Sequence, residues 1–510
     1  MSSWSFPSVA AGSTYLILGL GETGVAAALW CLERGARLRV LDTRAAPPAR
    51  QALDQSECAA NIDYRLGPDA LRDSALEGLS VVVLSPGLAP FDQPVSGFLE
   101  QARQRGIEII GEVEIFARAL LDLAAQGYTP HVLAITGTNG KTTVTRMTCQ
   151  LLEASGMTAV AAGNISPAAV QALRVCLQQD TLPQVWVLEL SSFQLHTLTS
   201  LVPDAAVVLN LTQDHLDWHG SMQAYAEAKA RLLRMARVRV VNRDDSLTVA
   251  MVDALANPNV RSFGRTVPEL DGDLGLESEH GIEWLTACES SDFEAPVVRS
   301  GRSRKNDTAL LRLPGRSVRL MPAEALHVQG RHNALNALAA LALVRSLGVG
   351  WAEALQALRA YRGEPHRAEF VRSVSGVDFI NDSKGTNVGA TVAALEGMGR
   401  GVVLIAGGLG KGQDFSPLAR AVAAYAKAVV LIGQDAPLIA QALQGLPLNV
   451  RCEHSLASAV QASFELATPG DAVMLSPACA SMDMFRNYGH RGQAFVDEVN
   501  ELALRQGEVA

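Results

Sequence analysis

Short apolar runs punctuated by glycine, alternating with longer stretches of helical periodicity, recur along almost the whole chain. The first, TYLILGLGETGVAAALWCLERGARLRVLD, reads as strand, glycine-rich turn, helix and strand. LSVVVLSPGL follows as a further strand, then a helical FLEQARQRG and a short strand, IEII. The polar segment AAQGYTP, with Gly127 and Pro130, closes this unit. A fresh strand, HVLAITG, opens a second alternation that continues through VWVLEL, AAVVLNL and VRVVN. Apolar runs without period-2 alternation suit strands covered on both faces, as in a parallel sheet.

Between residues 261 and 325 the pattern changes to short apolar pieces such as GIEWLTA and TALLRLPGRSVRLM around a charged, Ser-rich segment. Small antiparallel strands around a solvated loop, or a disordered surface insert over 288–307, both fit. Helical periodicity returns in GRHNALNALAALALVRSLG and WAEALQALRAYRG. After Pro365 a third alternation runs through VDFINDSKGTN, RGVVLIAGG, AKAVVLIG and DAVMLSPACAS. The expected architecture is α/β in three domains: residues 1–128, 129–363 and 364–510. The outer two are expected to be Rossmann-like and the central one a P-loop-type ATPase with a mostly parallel sheet.

The length of 510 residues agrees with about three units of roughly 150. A net charge of −9 provides no general attraction for nucleic acid or an anionic membrane, so anionic ligands must be held by local cations. Seven scattered cysteines, without a CxxC pair, read as reduced thiols. The N-terminal residues lack a basic start and a long apolar stretch, and no apolar run reaches the roughly 20 residues that span a bilayer. A soluble cytoplasmic protein is expected.

The chemistry-bearing stretches sit at strand ends. Gly19–Gly24 spells GxGxxG, with Asp42 ending the next strand. Such a turn favours phosphate at a helix N-terminus, or is simply a tight turn that binds nothing. In TGTNGKTT, Gly137, Asn139 and Gly140 let backbone N–H groups converge on an anion. Lys141 adds a point charge and Thr142 an oxygen for Mg²⁺. The spacing GxxGKT is two residues shorter than the common phosphate loop. Glu189, ending VWVLEL, is placed to hold a cation on a nucleotide. DHLDWHG clusters Asp214, His215, Asp217 and His219, for metal or base duty or for helix capping. Lys229 in YAEAKARLL reads locally as a snorkelling surface lysine. Arg367, Asp382, Lys384 and Thr386 fall close together in sequence, and Lys411 projects from GGLGKG. The stretch SPACAS offers small and hydroxyl residues for a ligand or for packing.

Together these stretches resemble the Mur ligases, which build the peptide stem of peptidoglycan with ATP. TGTNGKTT is common to that superfamily, folylpolyglutamate synthetases included. GNI, LELSSFQL, DHLD, GRHNALNALAA, EPHR, NDSKGTN and LSPACAS are similar to its glutamate-adding branch, and no D-[ND]-P-R run of the diaminopimelate and lysine ligases occurs. The resemblance implies addition of D-glutamate to UDP-N-acetylmuramoyl-L-alanine through an acyl phosphate. The L-glutamate-adding variant and other Mur or folylpolyglutamate-type ligases are the alternatives. An NAD-dependent oxidoreductase resting on GLGETG would leave TGTNGKTT unexplained, and a non-catalytic nucleotide-binding regulator would bind ATP but release no phosphate with any amino acid.

The resemblance also implies the roles of individual residues. The UDP part would lie against Gly21, Thr23, Gly24, Asp42, Thr43, Ser85, Pro86 and Gly87, with Asn164 and Gln194 at the sugar or its phosphates. ATP phosphates would meet Gly137, Thr138, Asn139, Gly140, Lys141, Thr142 and Thr143, with Asn336, Arg367 and Asp382 at adenosine and phosphate. Thr142 and Glu189 would hold one Mg²⁺, and His215 a second together with Lys229, carbamylated by CO₂. Lys384, Thr386, Lys411 and Ser481, with Met482 and Tyr488 nearby, would receive the glutamate and the transferring phosphate. Lys141, His215, Lys229, Arg367 and Lys384 form the expected catalytic set. Leu409, Met482, Tyr488 and Ser166 depart from the usual pattern. A monomer is expected, with no nucleic-acid partner and no integral membrane association.

Overall fold

The computed structural model describes residues 4–56, 62–290, 311–328 and 330–508. Its strands form three separate sheets, each from a contiguous part of the chain. The first sheet contains β1 (Thr14–Leu18), β2 (Arg37–Asp42), β3 (Ile62–Leu66), β4 (Val81–Leu84) and β5 (Glu108–Ile110). All pairs are parallel, in the order β3-β2-β1-β4-β5. The order reverses between β1 and β4, the place where open α/β sheets leave a crevice beyond their strand ends. The turns Gly19–Gly24 and Ser85–Gly87 both open there.

The second sheet contains β6 (His131–Thr136), β7 (Ala159–Gly163), β8 (Val185–Glu189), β9 (Ala205–Val208), β10 (Val238–Asn242), β11 (Val260–Phe263), β12 (Leu274–Glu279), β13 (Ile282–Glu289) and β14 (Arg316–Pro322). Its order is β14-β13-β12-β11-β10-β9-β6-β8-β7. Strands β6–β11 are parallel, while β12, β13 and β14 form the expected antiparallel edge. The Ser-rich segment of the anticipated insert, from residue 291 onward, lies outside the described residues. Strands β8 and β9 are buried at every position, as two-sided coverage by helices requires.

The third sheet contains β15 (Glu369–Val374), β16 (Val377–Asn381), β17 (Val402–Gly407), β18 (Ala426–Ile432), β19 (Asn449–Cys452) and β20 (Ala472–Leu475). The order β15-β16-β20-β17-β18-β19 is parallel except for β15 against β16. Because β20 threads between β16 and β17, the loops NDSKGTN, GGLGKG and SPACAS emerge side by side.

The three units are joined in different ways. Trp30, Phe116, Leu173 and Trp186 belong to one apolar cluster, so the first unit shares a core with the second. Rings of Phe116 and Trp186 meet edge to face at 5.1 Å across that seam. The two clusters covering the faces of the third sheet contain only residues from that part of the chain. The third unit meets the second through polar contacts at the strand ends and through the helix Val388–Gly397 against the helix Arg331–Arg345.

Candidate active site

The loop after β6 turns through two glycines with left-handed backbone, Gly137 (φ +149) and Gly140 (φ +86), before the helix Lys141–Ala154. A side chain at Gly140 would place its Cβ 2.5 Å from Asn336 Oδ1, so both conformation and space demand glycine. Asn210 splints the loop. Its Oδ1 accepts from Asn139 N at 2.9 Å, and its Nδ2 donates to the Asn139 carbonyl at 3.1 Å. Thr138 Oγ1 meets Tyr225 Oη at 3.1 Å and accepts from Thr212 N. The Lys141 ammonium folds over the loop and donates to the Gly137 and Thr138 carbonyls at 3.0 and 2.8 Å. Burial lowers its pKa, against the nearby charges of Glu189 and Asp214.

Glu189 ends β8 beside this loop and is 2% exposed. Thr142 Oγ1 donates to its Oε2 at 2.8 Å, and Asn164 Nδ2 donates to its Oε1 at 2.9 Å. A buried carboxylate with a threonine hydroxyl at a helix start is the hard-oxygen donor set that Mg²⁺ takes. Among the described residues no three His, Cys, Asp or Glu side chains are grouped so that they could hold a metal ion.

Lys229 overturns its local reading. It is 1% exposed, and its ammonium donates to Thr136 Oγ1 at 3.1 Å and the Gly137 carbonyl at 2.9 Å, directly beneath the phosphate loop. These partners lie more than 90 residues away in sequence, so nothing in YAEAKARLL announced them. Burial and the neighbouring Lys141 depress its pKa well below the usual lysine range, favouring a neutral, nucleophilic amine. His215 lies 3.6 Å from Asp214 Oδ2 and packs edge-on against Phe193 at 4.8 Å. Burial lowers its pKa, Asp214 opposing and Lys411, Lys141 and Lys229 adding to the shift. No side chain from DHLDWHG caps the short helix Leu216–His219.

The third unit closes over the loop. A cavity of about 540 Å³ is lined by Asn139, Gly140, Thr143, Asn336, Arg367, Asp382 and Lys384, among others. Asp382 accepts from Ser476 Oγ at 2.7 Å and from Ala368 N; burial raises its pKa to about 6. Lys384 lies 3.7 Å from the ring centre of Tyr488, a cation–π contact. Burial, then Arg367 and Lys141, lower its pKa to about 7. Thr386 is half-buried and Ser481 buried, whereas Lys411, Met482 and Tyr488 are exposed at the rim. Leu409 engages through its backbone, exchanging two 2.9 Å hydrogen bonds with Ala480, so its departure in side chain leaves that bridge intact. Among the described residues eight non-glycine positions hold left-handed backbone, and five of them, His215, His366, Ala368, Lys411 and Ala478, lie in loops at this junction.

The first unit's residues form a separate group. Asp42 accepts from Leu20 N at 2.8 Å and pairs with Arg44; burial opposes its ionisation, but Arg44 and Leu20 N hold its pKa at about 2. Ser85 Oγ donates to the Gly19 carbonyl at 2.6 Å. Gly21, Thr43 and Gly87 are exposed. Thr23, Pro86 and Gln194 line a small cavity of about 10 Å³ between the first and second units, with Glu112 and Trp218. The two units meet again where Ser166 Oγ donates to Glu22 Oε1 at 2.7 Å. This gives the departure at Ser166 a partner.

Several participants carried no local signal. Asn210 and Tyr225 splint the phosphate loop, and Arg491 is 1% exposed and donates to Ser383 and to the Cys479 carbonyl. Asn387 reaches Asn139 across the junction. Asn210, Tyr225 and Asn387 lie inside AAVVLNL, YAEAKARLL and NDSKGTN, stretches already singled out, but nothing local marked these side chains.

A phosphate loop at the end of β6 in a mostly parallel sheet, faced by loops of another sheet, suits a nucleotide-dependent ligase, and the chain belongs to the Mur ligase family. Family models match in the same order: the Mur ligase MurD-like N-terminal domain over 13–111, the Mur ligase middle domain over 135–344 and the Mur ligase glutamate ligase domain over 366–479. Its full-length relatives include the UDP-N-acetylmuramoylalanine--D-glutamate ligase of Bordetella bronchiseptica, 61% identical over 505 residues and covering 98% of each chain. The protein of that name from Cupriavidus pinatubonensis is 53% identical, with 96% of this chain and 97% of its own covered. The fold is also that of the MurF ligase from Thermotoga maritima, solved in complex with ADP. It has a TM-score of 0.56 at 15% identity, with 98% of this chain and 97% of that one covered. Among the described residues no helix is long and apolar enough to cross a membrane.

Proposed function

We propose that this chain joins D-glutamate to UDP-N-acetylmuramoyl-L-alanine at the expense of ATP, a cytoplasmic step of peptidoglycan synthesis performed by a monomer. The observation that carries this reading is the cavity in which Asn139 and Gly140 of the phosphate loop face Arg367, Asp382 and Lys384 of the third unit. A nucleotide triphosphate seated there has a cationic amino-acid site across from its γ-phosphate. The division of the chain at 128/129 and 363/364 assigns the UDP substrate, ATP and glutamate to successive domains.

The alanine carboxylate attacks the γ-phosphorus, ADP leaves, and an acyl phosphate forms. The glutamate amine then attacks the acyl carbon, and inorganic phosphate leaves as the amide bond is made. Lys141 is positioned to neutralise charge on the phosphates, while backbone N–H groups of Gly137–Thr142 orient them. Lys384 and Arg367 attract the glutamate carboxylates into a protein whose overall charge repels them. Asn336 and Asp382 hold the adenosine part. Gly21–Gly24, Asp42, Thr43, Ser85–Gly87, Asn164 and Gln194 hold the UDP-sugar, and Thr386, Lys411, Ser481, Met482 and Tyr488 surround the incoming amino acid. Mg²⁺ at Thr142 and Glu189, and at His215 with a carbamylated Lys229, would supply positive charge to the phosphate oxygens. The depressed pKa of Lys229 supports that modification, because CO₂ reacts with a neutral amine and leaves a carboxylate in the ammonium's place.

The test is phosphate release from ATP with UDP-N-acetylmuramoyl-L-alanine, comparing D-glutamate, L-glutamate and other amino acids. Release is expected with D-glutamate alone. Preference for the L isomer would move the chain to the variant reaction, and no release with either would sink the reading.

A further inference from the structure

Among the described residues the third unit shares no apolar cluster with the second; beside the contact of the helix Val388–Gly397 with the helix Arg331–Arg345, its placement rests on a small set of polar contacts. At their centre stands Asn387, 4% exposed, one residue beyond Thr386. Its Oδ1 accepts from Ala390 N at 2.9 Å and so caps the helix Val388–Gly397. The same oxygen accepts from Asn139 Nδ2 at 3.2 Å, and Asn387 Nδ2 donates to Asn139 Oδ1 at 3.0 Å. The two amides thus form a reciprocal pair across 248 residues of chain.

The orientation is fixed by neighbours. Ala390 N can only donate, so the atom it meets is the Asn387 oxygen. Asp214 Oδ2 accepts from Asn387 Nδ2 at 3.4 Å, consistent with that orientation. Asn139 in turn is clamped by Asn210, so its side chain presents a rigid target. Two flanking contacts tighten the seam. A Cβ on Gly389 would come within 2.7 Å of Thr212 Oγ1, and Asp414 N donates to Gln213 Oε1 at 3.3 Å. Helix capping alone would explain neither the close approach at Gly389 nor the second half of the amide pair.

We propose that Asn387 is a positioning residue that docks the amino-acid loops of the third unit onto the phosphate loop, through its amide pair with Asn139. The inference rests on the ligase reading proposed above and extends it. Asn139 belongs to the loop that holds phosphate, and Asn387 follows Lys384 and Thr386 in the loop that receives the amino acid. Their pairing sets the spacing between the two reacting groups, and small errors in such spacing cost large factors in rate.

Capping and docking are separable by substitution. Asn387→Ser keeps a good N-cap but is too short to reach Asn139. Asn387→Asp keeps the cap and sets a carboxylate against Asp214 and Asn139 Oδ1. For Asn387→Ser the expected result is an unchanged thermal midpoint and an ATP Kd within twofold of the parent. The kcat should fall at least tenfold, and the KM for glutamate should rise about fivefold. Asn387→Asp should fall further than Asn387→Ser. Small-angle scattering of both variants should show a larger radius of gyration than the parent, a readout that needs no substrate. Parent-like scattering and kcat in Asn387→Ser would overturn the proposal. A tenfold loss of ATP affinity would also overturn it, making Asn387 a nucleotide ligand instead. If the parent releases no phosphate with any glutamate, the ligase reading fails while the scattering comparison still decides the docking contact.

Discussion

Lys384 and Glu112 both titrate near neutrality, from opposite starting points. Burial penalises whichever form is charged, so it lowers the lysine to about 7 and raises the carboxyl to about 7. Glu112 is 4% exposed; its Oε1 accepts from Val170 N at 2.5 Å, and its Oε2 has no hydrogen-bond partner among the described residues. A carboxyl whose folded pKa lies above its unfolded value of 4.5 stabilises fully below pH 4.5, and that contribution is lost as pH rises through 7. Glu112→Gln, which keeps the acceptor for Val170, should therefore be more stable than the parent at pH 8, by a few kcal/mol at most. Denaturant unfolding at pH 8 and pH 4.5 checks this: the advantage should vanish at the lower pH. For Lys384 the charged form prevails below pH 7, so its attraction for a carboxylate weakens above it. Lys384→Arg keeps its charge throughout. The ratio of kcat/KM for glutamate, parent over variant, should fall as pH rises from 6 to 8.5, and a flat ratio would show that Lys384 stays charged across this range.

The phosphate loop is an element whose shape depends on one position. Gly140→Ala must either place a Cβ against Asn336 or abandon φ +86. It should weaken ATP binding at least tenfold in a direct titration, with little change in overall unfolding. The loops of the third sheet depend similarly on Arg491, whose guanidinium binds the Ser383 side chain and carbonyl and the Cys479 carbonyl. Arg491→Met removes these donors and leaves buried carbonyls unpaired, at about 1–3 kcal/mol for each group so stranded. A lowered melting midpoint together with a raised KM for glutamate is expected. This contrast explains what the sequence could disclose. The phosphate loop was legible because strand, glycines, lysine and helix are contiguous, and the parallel strands were legible because their apolar runs are uninterrupted. Lys229 was not, since its burial depends on Thr136 and Gly137, which reach it only after β6 has taken its place in the sheet. Arg491 and Asn387 were hidden for the same reason: a side chain that bridges distant loops leaves no periodicity of its own.

Over the whole molecule, an apolar seam fixes the first unit to the second, while the third is held by polar contacts and by one helix packed against another. The first seam also carries an exposed polar link, Ser166 to Glu22, beside the turn expected to bind UDP. Glu22→Ala should raise the KM for the UDP-sugar a few-fold and leave the KM for ATP unchanged, since an exposed hydrogen bond contributes about 1 kcal/mol or less. Steady-state kinetics with each substrate varied in turn would separate the two.

The threading of β20 between β16 and β17 has a consequence for biosynthesis. A ribosome delivers β16 and β17 long before residues 472–475, so for several seconds at typical elongation speeds these two strands have no partner between them. Their facing edges are open to pairing with another chain during that interval. Slowing translation after residue 407 should lengthen the exposure and raise the yield of aggregated nascent chains, whereas slowing it before residue 377 should not.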